Sequence, residues 1–254
     1  MGWHRELLIG FDLETTGTDP GEARIVTAAV VEVRGGEPVG RREWLADPGV
    51  TIPDDAVAVH GITTEWAAAE GRPSREVADE IADVLVAHWQ AGAPVVAYNA
   101  AFDLSLLAAE LRRHGLPSLG ERLGGAETGP VVDPYTIDRA VDRYRKGKRT
   151  LEAVCGEYGV VHERAHDAGA DALAAVHVAY AVAERHGQVA GLDLWELHRK
   201  QVVWYAQWAA DFQDWLRRKG TPDAVVDGRW PLHEVEVEVG VEDKAEVGAE
   251  AVAG

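Results

Sequence analysis

Cysteine, long apolar runs and basic residues are all scarce in this 254-residue sequence, and each shortage excludes a class of protein. The single cysteine, Cys155, excludes an intramolecular disulfide and favours a reducing compartment, so we expect a cytoplasmic location. No apolar run is long enough to span a membrane, and the opening MGWHREL lacks the apolar core of a signal peptide. The sequence therefore predicts no membrane partner.

The shortage of basic residues gives a net charge of −18, which is unusual for a protein that handles nucleic acid. Seven of the acids follow residue 233, so part of the excess is local. Six of the eleven residues in the segment 139–149, RAVDRYRKGKR, are Arg or Lys. Such a basic surface can bind phosphate locally even on an acidic protein. Taken alone, however, the segment is better described as a solvated helix end and loop.

The order of apolar and periodic segments predicts the fold class. Apolar runs predict five strands, at residues 6–12, 24–33, 39–45, 94–98 and 131–133. Helical spacing predicts helices at residues 75–89, 102–115, 135–145, 150–158 and 168–186. Gly35 and Gly36 separate the second and third strands, as a hairpin requires. This order indicates an α/β fold whose sheet is part antiparallel and part parallel.

The stretch IGFDLETTGTD, residues 9–19, places two carboxylates at the end of the first predicted strand. Asp12 and Glu14 are two residues apart, so in a strand their side chains point to the same face. Two such charges at ~6 Å and an effective dielectric of ~20 repel by roughly 3 kcal/mol. We therefore expect a cationic ligand that makes this arrangement favourable.

Further acids lie at the ends of later elements. Asp103 falls in the first turn of the helix that follows the strand 94–98. Asp167 is expected to cap the next helix, which places Asp171 one turn inside it and leaves His166 on the preceding loop. Binding sites of α/β folds lie at the edge of the sheet where strands end, so we expect these groups to converge there.

Clustered carboxylates are the ligands that hard divalent cations such as Mg²⁺ or Mn²⁺ prefer. Two such ions can stabilise the attacking and leaving oxygens of an in-line phosphoryl displacement. A nearby imidazole can take a proton from the attacking water. The residue pattern thus predicts metal-dependent phosphoryl chemistry.

Three short motifs resemble those of the DEDDh 3′–5′ exonucleases, the family of the DNA polymerase III epsilon proofreading subunit and RNase T. They are DLET (12–15), NAAFD (99–103) and HDAGAD (166–171), and their order and intervals also match. Each motif alone is weak, whereas the three together are specific. The resemblance covers about residues 5–187.

The resemblance implies an RNase H-like exonuclease fold, with a mixed five-stranded sheet flanked by helices. It also implies that two ions, Mg²⁺ or Mn²⁺, are held by Asp12, Glu14, Asp103 and Asp171, with His166 as general base. Each residue alone has a simpler explanation: Asp12 and Glu14 could open a turn, Asp103 could be a charge that the helix dipole favours, Asp171 a solvated acid and His166 a loop residue. The joint pattern favours the exonuclease.

Substrate contacts are predicted around these motifs. Thr15 and Thr16 expose backbone N–H groups suited to a terminal nucleotide, and Asn99 could bond a sugar or phosphate oxygen. His60, in AVHGITTEW, resembles the family's HGIT loop beside the terminal base, although it could also simply stabilise a turn. The basic segment 139–149 would then hold upstream phosphates.

The chain continues beyond the resemblance as two further predicted regions. Residues 190–233 form a Trp-rich extension with one long helix, 193–220, and residues 234–254 form an acidic tail that we expect to be disordered. The EVEVEV run in the tail could alternatively form an edge strand. The aromatic stripe of the helix could stack bases or bind a partner, but we favour packing on the exonuclease domain. Its members are Trp204, Tyr205, Trp208, Phe212 and Trp215.

We therefore expect a hydrolase that removes nucleoside 5′-monophosphates from 3′ ends, with single-stranded or frayed DNA favoured, of a proofreading or repair type. Its expected partners are such ends and a DNA polymerase or repair complex. An RNA-trimming exoribonuclease is the close alternative, since the 2′-OH is read by local geometry. Two more distant candidates are a non-catalytic interaction module on the same fold and a metal-dependent phosphatase or sugar-nucleotide hydrolase. The five positions that the resemblance assigns to catalysis are all present, which argues against a non-catalytic module. The order of the three motifs argues against a phosphatase or sugar-nucleotide hydrolase.

Overall fold

The computed structural model describes residues 2–235 and residue 237, and in it a mixed sheet is flanked by helices. The strands are β1 (Leu7–Thr15), β2 (Ile25–Arg34), β3 (Glu37–Asp47), β4 (Arg72–Pro73), β5 (Val95–Val96) and β6 (Val131–Val132). The helices are α1 (Asp54–His60), α2 (Thr64–Glu70), α3 (Ser74–Gln90), α4 (Ala100–Arg113), α5 (Leu119–Arg122), α6 (Pro134–Val141), α7 (Leu151–Tyr158), α8 (Ala168–Arg185), α9 (Gly187–Ala190) and α10 (Leu194–Lys219). Across the described part of the chain, every helix is too short or too polar to cross a membrane.

The sheet order is β4-β3-β2-β1-β5-β6. Strands β1, β2 and β3 pair antiparallel, with the predicted hairpin at Gly35 and Gly36, whereas β5 and β6 run parallel to β1. The predicted mixed α/β sheet is confirmed. The prediction of five strands missed β4, which is exposed, contains a proline and is only two residues long. So short a strand has no hydrophobic alternation that a sequence could reveal.

Alternation along β1 sends its residues to two different cores. Ile9, Phe11 and Leu13 pack with α3 and α4, whereas Leu8 packs with α8. Gly10 lies on the α8 face, where a Cβ atom would stand 2.6 Å from the backbone oxygen of Ala172. The missing side chain therefore lets the first turns of α8 approach β1 directly, and the next residues on this face are the two predicted metal ligands.

The basic segment 139–149 is shorter as a helix than predicted. Helix α6 ends at Val141 rather than near residue 145, because the chain then folds back on the fully buried Asp138. The Asp138 carboxylate pairs with Arg145 at 2.5 Å and with Arg149, and it accepts a hydrogen bond from the Tyr158 hydroxyl at 3.0 Å. Part of the basic charge thus anchors the loop.

Helix α10 confirms the predicted long helix, and it packs against β6 and α6 at one edge of the sheet. Its aromatic stripe behaves in two ways. Tyr205 is buried, and Trp204 and Trp208 pack against the cores. Phe212 and Trp215 are 37% and 47% exposed, so the prediction of inward packing is right for the first half of the helix and wrong for the second.

Residues 230–235, which we call the C-terminal strap, cross back over the body of the protein. Trp230 is buried, and its indole N–H points to Asp133 at 3.4 Å. The backbone N–H of His233 donates to the hydroxyl of Ser105, on α4, at 2.7 Å. Apart from residues 234, 235 and 237, the predicted acidic tail and its alternative edge strand lie outside the described residues.

Candidate active site

Asp12 and Glu14 lie at the end of β1 on the face that α8 covers, as the strand alternation predicts. Both side chains are partly buried. Because Gly10 allows α8 to come close, the first turn of that helix, which carries Asp171, lies against the same strand end. Two elements therefore bring three of the predicted ligands together.

Asp103 reaches the same strand end from α4. Strand β5 pairs with β1 only at Ile9 and Gly10, so the edge of β1 beyond Gly10 lacks a neighbouring strand there. The backbone N–H of Leu13 instead donates to Asp103 Oδ1 at 3.1 Å. A backbone donor that the short β5 leaves unpaired thus fixes the carboxylate of Asp103 beside Asp12.

The loop before α8 supplies the histidine. Asp167 caps the helix, since its carboxylate accepts a hydrogen bond from the N–H of Ala170 at 2.9 Å, as predicted. His166 is exposed and has a φ of 67°, in the left-handed region. This turn lets the His166 N–H donate to Asp171 Oδ2 at 3.3 Å, so the histidine precedes the helix and bends towards its first turn.

The carboxylates of the cluster are electrostatically strained in the absence of a cation. Burial, followed by the charges of Asp103, Asp171 and Glu14, raises the pKa of Asp12 well above its usual range. Burial and the charges of Asp171 and Asp167 raise the pKa of Glu14 to about 7. Burial also raises the pKa of Asp103, against the opposing effect of the Leu13 N–H. Within the described residues, no lysine or arginine forms an ion pair with Asp12, Glu14 or Asp103.

This donor set fits divalent metal ions. One ligand atom each from Glu14, His166 and Asp171 lies within 4.8 Å of the others, and Asp12 and Asp103 interact with the same charges. Hard cations prefer such oxygen-rich groups, and their charge would remove the repulsion that raises the pKa values. The assignment of the five residues to metal binding and base catalysis stays a prediction that this geometry supports.

The raised pKa of Glu14 predicts how the metal-free protein responds to pH. Between about pH 4.5 and about pH 7, the folded state binds more protons at Glu14 than the unfolded chain does. The Glu14 carboxyl therefore destabilises the fold progressively as pH rises through this interval. In EDTA, Glu14→Gln should match the wild type below pH 4.5 and exceed its free energy of unfolding by ~1–3 kcal/mol above pH 7.

The difference between the two proteins is the quantity to measure, by thermal or denaturant unfolding. Burial lowers the pKa of His60, His88 and His198, so these histidines make the free energy of unfolding rise with pH in both proteins. Their contribution cancels when the two proteins are compared. Mg²⁺ should shrink the difference, because the ion stabilises only the protein that keeps the carboxylate. A difference that is constant with pH would contradict the repulsion argument.

Thr15 and Thr16 follow the metal ligands, and the Thr16 N–H is bonded within the chain rather than exposed as predicted. The Thr15 hydroxyl donates to the carbonyl of Gly17 at 2.7 Å. The Thr16 N–H donates to the carbonyl of Arg24 at 3.0 Å, and its hydroxyl accepts from the Arg24 N–H at 2.9 Å. These bonds close the turn between β1 and β2, so a nucleotide contact by the Thr16 N–H would compete with them.

His60 and Asn99 also lie near the cluster. His60 lines a pocket together with Glu14, Trp44 and His166, and its buried Nε2 has no hydrogen-bond partner within the described chain. Its Nδ1 accepts a hydrogen bond from the N–H of Ile62 at 3.1 Å, so the turn-stabilising role is real, and the ring also lies beside the backbone of Thr15. Asn99 precedes α4 in the left-handed region, with a φ of 66°.

The sequence analysis missed His162. Its Nε2 lies 2.6 Å from Asp171 Oδ1, so the loop before α8 holds both oxygens of that carboxylate. The only signal in the sequence was a second histidine four residues before His166, in a segment whose loop geometry could not be foreseen. His162 is a positioning residue for a predicted ligand.

Replacing His162 with alanine should weaken activity by ~10–100-fold at limiting Mg²⁺, the usual scale for losing a hydrogen bond to a metal ligand. The loss should shrink as Mg²⁺ is raised, because Asp171 is still present but less well oriented. Mg²⁺ titrations of activity measure this, with His177→Ala as the control, since His177 lies on α8 but contacts Gly36 instead. A loss that excess Mg²⁺ does not reduce would contradict the positioning role.

Comparison with known proteins agrees with this geometry. The sequence model of the exonuclease family RNase_T matches residues 9–179. The PolC-type DNA polymerase III of Lacticaseibacillus paracasei is 26% identical over 182 residues, or 72% of this chain, and that of Halalkalibacterium halodurans is 30% identical over 169 residues, or 66%. The chain spans only 12% and 11% of the length of those polymerases.

Solved structures show the same fold. E. coli exonuclease I in complex with a dT13 oligonucleotide superposes with a TM-score of 0.61 at 22% identity. The superposition covers 72% of this chain and 42% of that chain. The predicted RNase H-like exonuclease fold is thus confirmed, and the whole of α10 lies beyond the residues that the family model matches.

Proposed function

Because the chain belongs to the RNase_T exonuclease family, we propose that it is a metal-dependent 3′–5′ exonuclease that releases nucleoside 5′-monophosphates from DNA ends. One observation carries the proposal: carboxylates from β1, α4 and α8 converge, and burial and mutual repulsion raise the pKa of Asp12, Glu14 and Asp103. Repulsion between these carboxylates destabilises the fold, and a bound cation would make the arrangement favourable.

Each residue of the cluster has a task in this proposal. Two divalent cations such as Mg²⁺ or Mn²⁺, held by Asp12, Glu14, Asp103 and Asp171, would supply the charge that stabilises an in-line displacement at phosphorus. His166 would take the proton of the attacking water, since it is exposed on a turn that aims it at the cluster.

The pocket lined by Glu14, Trp44, His60 and His166 is the proposed position of the terminal nucleotide. The unpartnered Nε2 of His60 would bond that nucleotide, and Thr15 and Asn99 would contribute from the neighbouring turns. Thr16 would contribute through its N–H only by giving up the bond to Arg24. Single-stranded or frayed 3′ ends are the proposed substrates. The PolC-type relatives are DNA polymerases, which supports DNA as the substrate and a polymerase or repair complex as a partner. A cytoplasmic location remains a prediction.

Incubation with 5′-labelled single-stranded DNA and RNA of the same sequence tests the proposal. In Mg²⁺ or Mn²⁺ we expect a ladder that shortens from the 3′ end, faster on DNA, with nucleoside 5′-monophosphates as products. EDTA should abolish the ladder. Faster shortening of RNA would favour the exoribonuclease alternative, and full activity in EDTA would overturn the metal-dependent mechanism.

A further inference from the structure

A row of aromatic rings connects the edge of the candidate active site to the far half of α10. Tyr98, just after β5, packs edge-on against Tyr135, with ring centroids 5.6 Å apart. Tyr135 contacts Trp208 at 6.2 Å, and Trp208, Phe212 and Trp215 then stack nearly parallel at 5.6 and 5.7 Å. The row begins one residue before Asn99 and ends in solvent.

The outer rings of this row are exposed in a way that folding does not explain. The side chains of Phe212 and Trp215 are 37% and 47% exposed, and they lie beyond the part of α10 that contacts the sheet. Two adjacent exposed rings form an apolar patch at the surface, and such a patch is a candidate binding surface. Phe212 lies between Trp208 and Trp215, so Trp215 is the end of the stack and the ring on which a further planar group could stack.

Positive charge accompanies the row along its length. The guanidinium of Arg139 lies over the rings of Tyr135 and Trp208, at 4.4 and 4.7 Å from their centroids. Lys146 and Lys148 are exposed and form no ion pair with any described residue.

Two exposed acids of α10, Asp211 and Asp214, interrupt this charge. Asp211 lies beside the row, but it pairs with Arg143 at 2.6 Å. At the outer end, Arg218 and Lys219 follow Trp215 by three and four residues, which places them on the same face of the helix. On a chain with a net charge of −18, this concentration of basic residues beside exposed rings favours an anionic partner.

The row also borders the candidate active site through the basic segment. A groove of about 240 Å³ is lined by Arg139, Arg149, Trp204 and Trp208, among others. The residues on either side of Arg149, Lys148 and Thr150, line a second pocket together with Asp171 and both loop histidines. Residues 148–150 therefore line both the groove and the second pocket. A nucleic-acid strand that leaves the metal cluster past residue 148 enters the groove.

We propose that this surface, which we call the α10 track, binds the single strand upstream of the scissile bond. It comprises Arg139, Lys148, Trp208, Phe212 and Trp215. An unpaired base would extend the stack at Trp215 and contact the exposed part of Phe212, while Lys148 contacts a backbone phosphate. Duplex DNA does not fit, since its base faces are covered by stacking. The proposal rests on the proposed function, because the occupant is the same substrate.

Binding of labelled oligo-dT of about 4 and about 16 nucleotides tests the track. The full-length chain carrying Asp12→Asn prevents degradation during the measurement. The quantity to compare is the ratio of the two affinities. Phe212→Ala with Trp215→Ala should reduce the preference for the long oligonucleotide by ~10–100-fold, since base stacking is worth ~1–3 kcal/mol per base.

Two further variants separate recognition from structural damage. Val203→Ala, on an exposed position of α10 about 180° around the helix from Phe212, should leave the ratio unchanged. Trp215→Tyr with Phe212 intact should retain most of the preference, because tyrosine also offers a ring face. Circular dichroism confirms that each variant folds.

A ratio that the double alanine variant leaves unchanged would overturn the track, and would assign the exposed rings to a protein partner instead. Failure of the two proposals is distinguishable. If the wild-type chain binds long oligonucleotides through these rings but degrades none, the track stands and the exonuclease proposal fails. If it degrades 3′ ends but shows no such preference for long oligonucleotides, the exonuclease proposal stands and the track fails.

Discussion

Asp12→Asn should lower exonuclease turnover by at least about 10³-fold and, at the same time, make the metal-free protein more stable. The loss follows because a carboxylate contributes to charge stabilisation worth several kcal/mol at phosphorus. The gain follows because Asp12 lies among Asp103, Asp171 and Glu14, whose charges raise its pKa. Few substitutions at a residue with only a structural role would change activity and stability in opposite directions.

Turnover on a 5′-labelled oligonucleotide and the thermal midpoint with EDTA or Mg²⁺ measure the two effects. Mg²⁺ should raise the midpoint of the wild type and should have little effect on the variant. Asp167→Asn is the matched control, because Asp167 is a nearby acid that caps α8. It should lose about 1 kcal/mol of stability and keep the Mg²⁺-dependent rise. An Asp12 variant that gains as much stability from Mg²⁺ as the wild type does would remove Asp12 from the ligand set.

His166→Ala should lower turnover by ~10²–10⁴-fold, the usual scale for losing a general base. Metal affinity and affinity for a 3′ end should change little, because the four carboxylates remain. The pH–rate profile should lose the limb that reports deprotonation of the base. Because His166 has a φ of 67°, alanine also strains the backbone there, so His166→Asn should accompany it. Asparagine adopts this conformation readily and lacks the imidazole.

His162 makes this test more specific, since its imidazole also contacts Asp171. If His166 is the base, His162→Ala should keep the pH limb and respond to added Mg²⁺, whereas His166→Ala should do neither. The opposite result would assign proton transfer to His162. Near-normal turnover in both His166 variants, where chemistry limits the rate, would reject His166 as the base.

The sequence predicted those parts of the site that local periodicity determines. Strand alternation placed Asp12 and Glu14 on one face, and the capping position of Asp167 placed His166 before α8 and Asp171 inside it. These relations depend on residues a few positions apart, so one sequence contains them. The motif order added the expectation that the elements meet.

Features that depend on tertiary contacts were not predictable. His162 contacts Asp171 only because an irregular loop turns back on α8, and irregular loops have no periodicity to read. Helix α6 ended early because Arg145 and Arg149 reach a buried Asp138, which looks like any helix acid in the sequence. The stripe on α10 looked uniform, yet only the half that contacts β6 is covered.

The C-terminal strap has a consequence for how long the active site stays assembled. Gln201 of α10 accepts the backbone N–H of Asp133, and the Asp133 carboxylate accepts the N–H of Asn99, at 2.7 and 2.9 Å. Because Trp230 lies against Asp133 and the strap is bonded to α4, we expect the strap and the helix carrying Asp103 to open as one cooperative unit. Local opening of the strap would release the Asp133 network and the α4 start together. We therefore expect the carboxylate cluster to stay assembled only while this segment, which contributes no atom to the chemistry, stays bound, and amide exchange in α4 should follow the opening of the strap.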